Sequence, residues 1–182
     1  MSDQIDPALL IRFSRLIAAD GYDRGLQPVQ WQALSFLHIA NRFSRTPKAL
    51  TAWLGQTKGS VSQTIAALEK KGLLRKNADK ADLRVTRLEL TAKGRSLLQE
   101  PPPDLAEQML AHLAAPQREQ LYRLIRTMLT AQLAVNGGRP FGLCRDCRHF
   151  RKSQSAGMQC GLLNVALSKA ESEKICIEQE AA

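Results

Sequence analysis

Residues 55–72 read GQTKGSVSQTIAALEKKG, and this stretch decides the fold that the chain around it must build. Its apolar residues recur at the spacing of one helix face: Val61, Ile65 and Leu68. Thr57 is placed as an N-cap and Gly72 follows the last turn, so both ends of a helix are marked. The other face carries short polar or cationic side chains: Thr57, Lys58, Ser60, Ser62 and Gln63. Such a helix fits a DNA major groove, although an ordinary amphipathic surface helix shows the same pattern.

The preceding residues supply a partner for this helix. Thr46 and Pro47 form a cap followed by a proline at the first helical position, and the short helix that they open ends at Gly55. Two short helices joined by a glycine-containing turn are typical of a helix-turn-helix, whose second helix contacts bases. Two more helices are expected upstream, over residues 7–20 and 28–40.

A hairpin is predicted directly after the helix-turn-helix. Residues 73–75 and 85–90 have strand patterns, and the segment between them is polar and turn-prone. The hairpin tip would carry Lys80 and Arg84 toward the phosphate backbone or the minor groove. Thr91 then caps a further helix. The predicted fold class is therefore mainly α with a small β-hairpin wing, a winged helix-turn-helix.

The charge of the chain is concentrated in this same region. Thirteen Lys/Arg and four Asp/Glu lie between Arg42 and Arg95, so this segment holds +9, the formal net charge of all 182 residues. That distribution favours a nucleic-acid-binding module, although a patch for an acidic protein or lipid would carry similar charge. No apolar run reaches membrane-spanning length and no secretory signal precedes the first helix, so we expect a cytoplasmic protein without membrane contact.

At this point the residues resemble a known family. The runs LEKKGLLR (68–75) and DKADLRVTRLELTAKG (79–94) are together similar to the MarR family of winged-helix transcription regulators. The wing signature of that family, an acid–x–Arg followed by Leu-x-Leu-Thr-x-x-Gly, is matched by Asp82, Arg84, Leu88, Leu90, Thr91 and Gly94. The resemblance covers about residues 9–134. It implies a homodimer with paired terminal helices, a near-palindromic double-stranded DNA operator, and often a small-molecule effector or redox input.

One feature departs from that family. Pro101, Pro102 and Pro103 must stop any long helix after the wing. Helices are expected to resume near residues 104 and 116, and the second has a broad apolar face: Leu121, Leu124, Ile125, Met128, Leu129 and Leu133. We therefore predict one domain over residues 1–135, with a DNA-binding core at 28–95 and dimerisation helices at 6–20 and 104–135.

A separate C-terminal segment, residues 136–182, follows a linker-like stretch and holds every cysteine of the chain: Cys144, Cys147, Cys160 and Cys176. In a cytoplasmic protein this clustering favours metal binding over disulfides. The C-x2-C pair lets two thiolates bind one ion, and four thiolates complete a tetrahedral site. Zn²⁺ and an iron–sulfur cluster stand as alternatives, with a redox pair or free thiols as the third. A helix is expected over residues 162–174.

These patterns lead to a functional interpretation. The chain has no phosphate-binding loop and no nucleophile elbow, so an enzyme is not expected. We expect a dimeric, sequence-specific DNA-binding transcription regulator, with repression as the favoured output and a C-terminal four-cysteine metal or cluster segment that either stabilises the tail or senses metal or redox state. The alternative is a winged-helix protein-interaction scaffold with a structural zinc tail, which would bind no DNA.

Overall fold

The computed structural model describes residues 7–19, 24–79, 82–100, 105–135, 141–153 and 157–180. Within these ranges the elements are, in chain order, α1 (Pro7–Ala19), α2 (Pro28–Ile39), α3 (Pro47–Leu54), α4 (Lys58–Lys70), β1 (Leu74–Ala78), β2 (Thr86–Leu90), α5 (Ala92–Leu97), α6 (Leu105–Ala111), α7 (Ala115–Val135), β3 (Gly142–Leu143), β4 (Phe150–Ser153), β5 (Gly157–Cys160), β6 (Val165–Leu167), α8 (Lys169–Ser172) and β7 (Ile175–Cys176). No helix in the described ranges combines the length and apolarity needed to cross a bilayer.

The predicted winged helix is present. Helices α2, α3 and α4 surround an apolar core that the antiparallel hairpin β1–β2 closes on one side. The hairpin register pairs Leu74 with Leu90 and Ala78 with Thr86. Strand β1 therefore runs three residues further than predicted, because its polar residues pair with β2 along their whole length and tertiary pairing overrides their weak strand propensity.

The core is centred on α2. Its largest fully buried side chains are Phe36, Leu26, Leu34, Leu37, Leu50, Ile65, Leu68, Leu74, Leu88 and Val61. Trp31 and Phe36 are buried although the helical pattern did not single them out. Helix α2 is thus covered on more than one side, and the extra cover includes Phe141, whose ring packs edge-on against Phe36 with the centroids 5.8 Å apart.

Local signals explain the bounds of these helices. Three helices begin after a threonine whose Oγ1 accepts a hydrogen bond from the backbone N–H three residues later, at 3.0–3.2 Å: Thr46, Thr57 and Thr91. A cap of this kind contributes about 1 kcal/mol. Gly55 and Gly72 follow α3 and α4 with φ of 61° and 69°, the left-handed conformation that glycine adopts without a steric cost.

Thr91 and Gly94 fix the base of the wing to the end of α4. The Thr91 hydroxyl donates to the Gly72 carbonyl at 2.7 Å, and the Thr91 backbone N–H donates to the Leu73 carbonyl at 3.0 Å. A Cβ on Gly94 would lie only 2.1 Å from that Leu73 oxygen. Only glycine fits here, which gives the Thr-x-x-Gly part of the wing signature a physical basis.

The terminal helices lie where the sequence predicts them, with their apolar faces uncovered in the single chain. Large apolar side chains of α1 and α7 are exposed: Leu9, Leu10, Ile11, Phe13, Leu16, Tyr122, Leu124, Ile125, Met128 and Leu129. The three prolines before α6 lie outside the described residues, as do Lys80 and the linker at 136–140.

The C-terminal segment contains two small sheets. Strand β3 pairs antiparallel with β7, and β4, β5 and β6 form an antiparallel sheet in that order. The helix predicted over 162–174 is wrong in most of its length, because Val165–Leu167 pairs with β5 as strand β6. A helix begins only after Ser168, which forms a capping box with Glu171, and it ends at Ser172.

Candidate nucleic-acid interface and cysteine cluster

Helix α4 presents two different faces. Val61, Ile65 and Leu68 are buried in the core, as predicted. The five predicted contact residues are all exposed: Thr57, Lys58, Ser60, Ser62 and Gln63. The Thr57 and Ser60 hydroxyls lie 2.9 Å apart and are partly engaged in the cap, whereas the side chains of Ser62 and Gln63 make no hydrogen bond to any described residue. The polar groups of Ser62 and Gln63 are therefore the most available of the five for a ligand.

The wing carries an oriented guanidinium. The Arg84 side chain is 90% exposed and forms a two-pronged contact with Asp82, Nε to Oδ1 at 3.0 Å and Nη2 to Oδ2 at 3.1 Å. Asp82 Oδ1 also accepts from the Arg84 backbone N–H at 3.0 Å, so this aspartate both caps the turn and orients the arginine. The hydrogen bond from Arg84 lowers the pKa of Asp82, and the same contact raises the pKa of Arg84.

Folding pairs some of the cations counted in the sequence with the acids of the same segment, which leaves the net charge of +9 unchanged but decides which cations stay available. Three cations of the wing region pair with carboxylates: Arg75 with Glu89 at 2.7 Å, Lys76 with Glu69 at 2.8 Å, and Arg87 with Asp79 at 2.5 Å. By contrast, the exposed Lys48, Lys58 and Lys70 form no ion pair with described residues. Lys48, in the first turn of α3, is a candidate phosphate contact that no sequence motif indicates, although it contributes to the positive charge of residues 42–95.

Arg87 and Leu88 join the wing to the turn between α2 and α3, residues 40–46. Arg87 Nη1 donates to the Phe43 carbonyl at 2.6 Å, and the Leu88 backbone N–H donates to the Arg45 carbonyl at 2.7 Å. Arg45 is half-buried, and this burial lowers the pKa of its guanidinium. The α2–α3 turn thus sets the position of the wing.

The four cysteines come together in the C-terminal segment. Cys144 and Cys147 flank one 3-10 turn, with the Cys147 N–H donating to the Cys144 carbonyl at 3.2 Å. Cys176 lies on β7 opposite Gly142, and Cys160 ends β5 opposite Phe150. All four side chains line one cavity of about 10 Å³. The topology therefore gathers thiols that are distant in sequence.

The cavity is largely apolar and its thiols influence one another. Phe43, Phe150, Leu162 and Leu163 share the lining. Burial raises the pKa of the Cys144 thiol to about 12, the three neighbouring cysteines add to this increase, and the Asn41 amide acts in the opposite direction. In the arrangement described, no three Cys, His, Asp or Glu side chains already stand as the ligands of a metal ion.

Asn41 belongs to the α2–α3 turn and also lines this cavity. Its side chain is completely buried. Oδ1 accepts from the Ser44 backbone N–H at 2.9 Å, which fixes the amide with its nitrogen on the other side. Nδ2 faces the Cys144 sulfur, whose pKa it affects, but forms no hydrogen bond of ordinary geometry with a described residue. A buried amide donor without a partner costs about 1–3 kcal/mol, so its position calls for an acceptor.

Known proteins resemble this chain over the winged-helix part. Residues 24–84 match the sequence model of the MarR family. The transcriptional repressor MprA of Escherichia coli K12 is 26% identical over 110 residues, which are 59% of this chain and 62% of that protein. The chain thus spans less than two thirds of the length of this curated relative.

Solved structures agree with the fold. A probable transcriptional regulator from Pseudomonas aeruginosa superposes with a TM-score of 0.57 and 27% identity, covering 69% of this chain and 97% of that one. The S. aureus MepR–DNA complex gives a TM-score of 0.59 over 71% of this chain and 99% of that one, and its 19% identity supports the fold alone. The chain has a MarR-like winged-helix fold, and its similarity is to transcription regulators rather than to enzymes.

Proposed function

We propose that this protein is a cytoplasmic, sequence-specific DNA-binding transcription regulator that acts as a homodimer, with repression as its output. The observation that carries the proposal is the exposed, acid-free polar face of α4 beside a wing that holds Arg84 clear of the protein surface. Support also comes from the similarity to MprA, which is named a transcriptional repressor. The MepR structure contains DNA and has the same fold.

The proposed contacts divide into base reading and positioning. Gln63 has both a donor and an acceptor at its tip, which is the arrangement that pairs with the major-groove edge of adenine, and Ser62 can bond either kind of base edge. Thr57, Lys58 and Ser60 lie at the N-terminus of α4, where backbone N–H groups and the helix dipole favour a phosphate. Arg84, with Lys80, would serve the backbone or the minor groove beside the wing.

The uncovered apolar faces of α1 and α7 support the proposed dimer. Exposed apolar helix faces of this extent are unfavourable in water, and pairing two copies would bury them. Two-fold symmetry would then present two copies of α4 to successive major grooves, which requires a near-palindromic operator.

Replacing Gln63 with alanine tests base reading. If Gln63 makes a two-pronged contact with one base, Gln63→Ala should cost about 1–3 kcal/mol at that base pair and relax the preference there. The measurement is competition binding on an operator taken from upstream of the gene, against a set of single-base-pair variants. Gln159→Ala, a glutamine exposed on β5, is the matched control and should bind like the wild type. An unchanged preference profile for Gln63→Ala would remove Gln63 from the base contacts.

Replacing Arg84 with alanine tests the wing. Because a phosphate contact is independent of sequence, Arg84→Ala should weaken binding to all DNA and reduce the slope of log K against log salt by about one unit. Arg126→Ala, a charge-matched change on α7, should leave the slope unaltered. If the affinity and slope of Arg84→Ala equal those of the wild type, Arg84 does not contact the backbone.

We further propose that the cysteine tail supplies the input to the regulator, as a metal site or, in the alternative, as a redox site. A small-molecule effector, which the family resemblance leads us to expect, is compatible with a metal site and with a redox site. Complete absence of DNA binding in every metal and redox state would instead favour the protein-interaction scaffold.

A further inference from the structure

Two independent features, one in the tail and one in the α2–α3 turn, point to the same kind of ligand. Four thiols from separate strands and turns line one cavity, and the side-chain nitrogen of Asn41 is buried beside them without an acceptor among the described residues. The orientation of Asn41 is set by its bond to the Ser44 N–H, so rotating the amide would only exchange one unpaired group for another. A metal-bound thiolate is the acceptor that would satisfy this donor, since charged sulfur accepts N–H hydrogen bonds.

We propose that Cys144, Cys147, Cys160 and Cys176 bind one Zn²⁺ as thiolates and that Asn41 Nδ2 donates to one of the bound sulfurs. The four ligands close a tetrahedral site with no open position, which is the arrangement of structural rather than catalytic zinc. Each thiol loses its proton when it binds. The ion offsets two of the four negative charges, and the Asn41 N–H stabilises part of the remaining charge as a hydrogen-bond donor to one sulfur.

The small space between the thiols favours a single ion over a cluster. Its volume of about 10 Å³ is close to the space that one water-sized particle needs. An iron–sulfur cluster would place at least two irons and two sulfides between the same four thiolates, which would require the side chains of the lining to move apart. Because the thiols do not yet stand at ligand positions, zinc binding must draw them toward the ion and tighten the tail.

The tail is attached to the α2–α3 turn, so this tightening reaches the DNA-binding domain. The Asn41 backbone N–H donates to the Ile175 carbonyl at 2.8 Å, next to Cys176. The Ile177 N–H donates to the Ser44 hydroxyl at 2.9 Å. Lys174 Nζ donates to the His38 carbonyl at 2.7 Å, and Arg42 forms an ion pair with Glu171. Zinc thus holds the turn on which Arg87 and Leu88 of the wing rest.

The regulatory consequence rests on the proposed function, whereas the zinc site does not. With zinc bound, the α2–α3 turn and the wing are held in one arrangement. Helix α4 and the wing of each protomer then bind DNA without an additional loss of entropy from ordering the wing. Without zinc, the four cysteines of the tail are no longer joined through one ion, and the α2–α3 turn holds the wing less firmly. Operator affinity should therefore be higher in the zinc form.

The first measurement is the metal content and absorption spectrum of the full-length protein purified anaerobically. We expect a colourless protein with one zinc per chain, and Co²⁺ exchanged into it should give the visible and near-ultraviolet bands of a tetrahedral thiolate site. A brown protein containing iron and sulfide would overturn the zinc assignment. Metal-free protein that binds neither zinc nor cobalt would overturn the site itself.

Asn41→Asp tests the amide donor with minimal change in shape. The variant keeps an oxygen for the Ser44 N–H but replaces the unpaired N–H group with a second oxygen facing the thiolates. Zinc affinity, measured by competition with a chromophoric chelator, should fall by about 10–100-fold. Cys176→Ser should lose the site more completely, and the chelator titration of the wild type remains informative if that variant does not fold. Unchanged zinc affinity in Asn41→Asp would remove Asn41 from the site.

Operator binding of zinc-loaded and zinc-stripped wild type then separates the two proposals. Lower affinity after stripping, restored by zinc, supports the coupling, and equal affinities contradict it. Gln63→Ala serves as the control because it should bind zinc like the wild type while reading DNA less well. A protein that binds zinc but no DNA in either state would support the metal site and refute the proposed regulator. A protein that binds the operator but no zinc would refute the metal site and support the regulator.

Discussion

Replacing Ile125 with lysine is expected to separate the two subunits of the proposed homodimer and, with them, to abolish tight operator binding. Ile125 lies at the middle of the apolar face of α7 and is 43% exposed in the single chain. In a two-fold interface each substitution places two ammonium groups, without partners, in an apolar contact. An unpaired buried charge costs about 3–5 kcal/mol, so the dimer dissociation constant should rise by roughly 10²-fold or more.

Analytical ultracentrifugation over a range of protein concentrations measures that change, and a titration with a full operator and a single half-site measures its effect on DNA binding. The matched control is Thr127→Lys, which adds the same charge on the opposite side of α7. It should remain dimeric. A dimeric Ile125→Lys with full operator affinity would show that α7 does not form the interface.

Replacing Phe36 with alanine should give the largest loss of folding stability. Phe36 is fully buried, and its ring stacks on Trp53 with centroids 5.2 Å apart and meets the edge of Phe141. Phe-to-Ala changes in a core lower the free energy of unfolding by about 3–5 kcal/mol, because the folded state loses the burial of the ring and also retains a cavity where the ring was. This position also joins α2, α3 and the start of the tail, so the cavity can be filled only by moving all three.

Urea unfolding at a fixed protein concentration measures the effect, since dimer formation makes apparent stability depend on concentration. Phe36→Leu keeps much of the buried volume and should lose distinctly less stability than Phe36→Ala. Equal losses for the two variants would contradict this expectation, because they would mean that the buried volume kept by leucine adds no stability and that the loss comes from the ring contacts with Trp53 and Phe141, which both variants lack.

The helices and the wing could be predicted because their signals are local. The hydroxyls of Thr46, Thr57 and Thr91 cap N–H groups three residues away, and a cap depends on little outside one turn. The left-handed Gly72 acts over a similarly short range. The helix predicted over residues 162–174 was wrong because Val165–Leu167 forms a strand by pairing with β5, a contact that the helical spacing of its own apolar residues does not reveal.

In the candidate site, too, features with local sequence signals could be predicted and features that depend on tertiary contacts could not. The acid-free face of α4 could be predicted from periodicity. Which cations would escape ion pairing in the folded chain could not be predicted. Arg75 and Arg87 lose their availability to carboxylates that strand pairing brings beside them. Asn41 is a further example, since it precedes the nearest cysteine by about a hundred positions and nothing in its sequence neighbourhood relates it to a thiol.

The distance along the chain between the α2–α3 turn and the segment that covers it has a consequence for biosynthesis. Ser44 and its partner Ile177 are 133 positions apart. At about 5–20 residues per second, the ribosome makes the turn roughly 7–27 seconds before it makes the cover. During that interval α2, α3, α4 and the wing can pack their own core while Asn41 still faces water. The winged-helix part of each newly made molecule can therefore fold first, and in the mechanism proposed above metal would act on that part only after Cys176 has been translated.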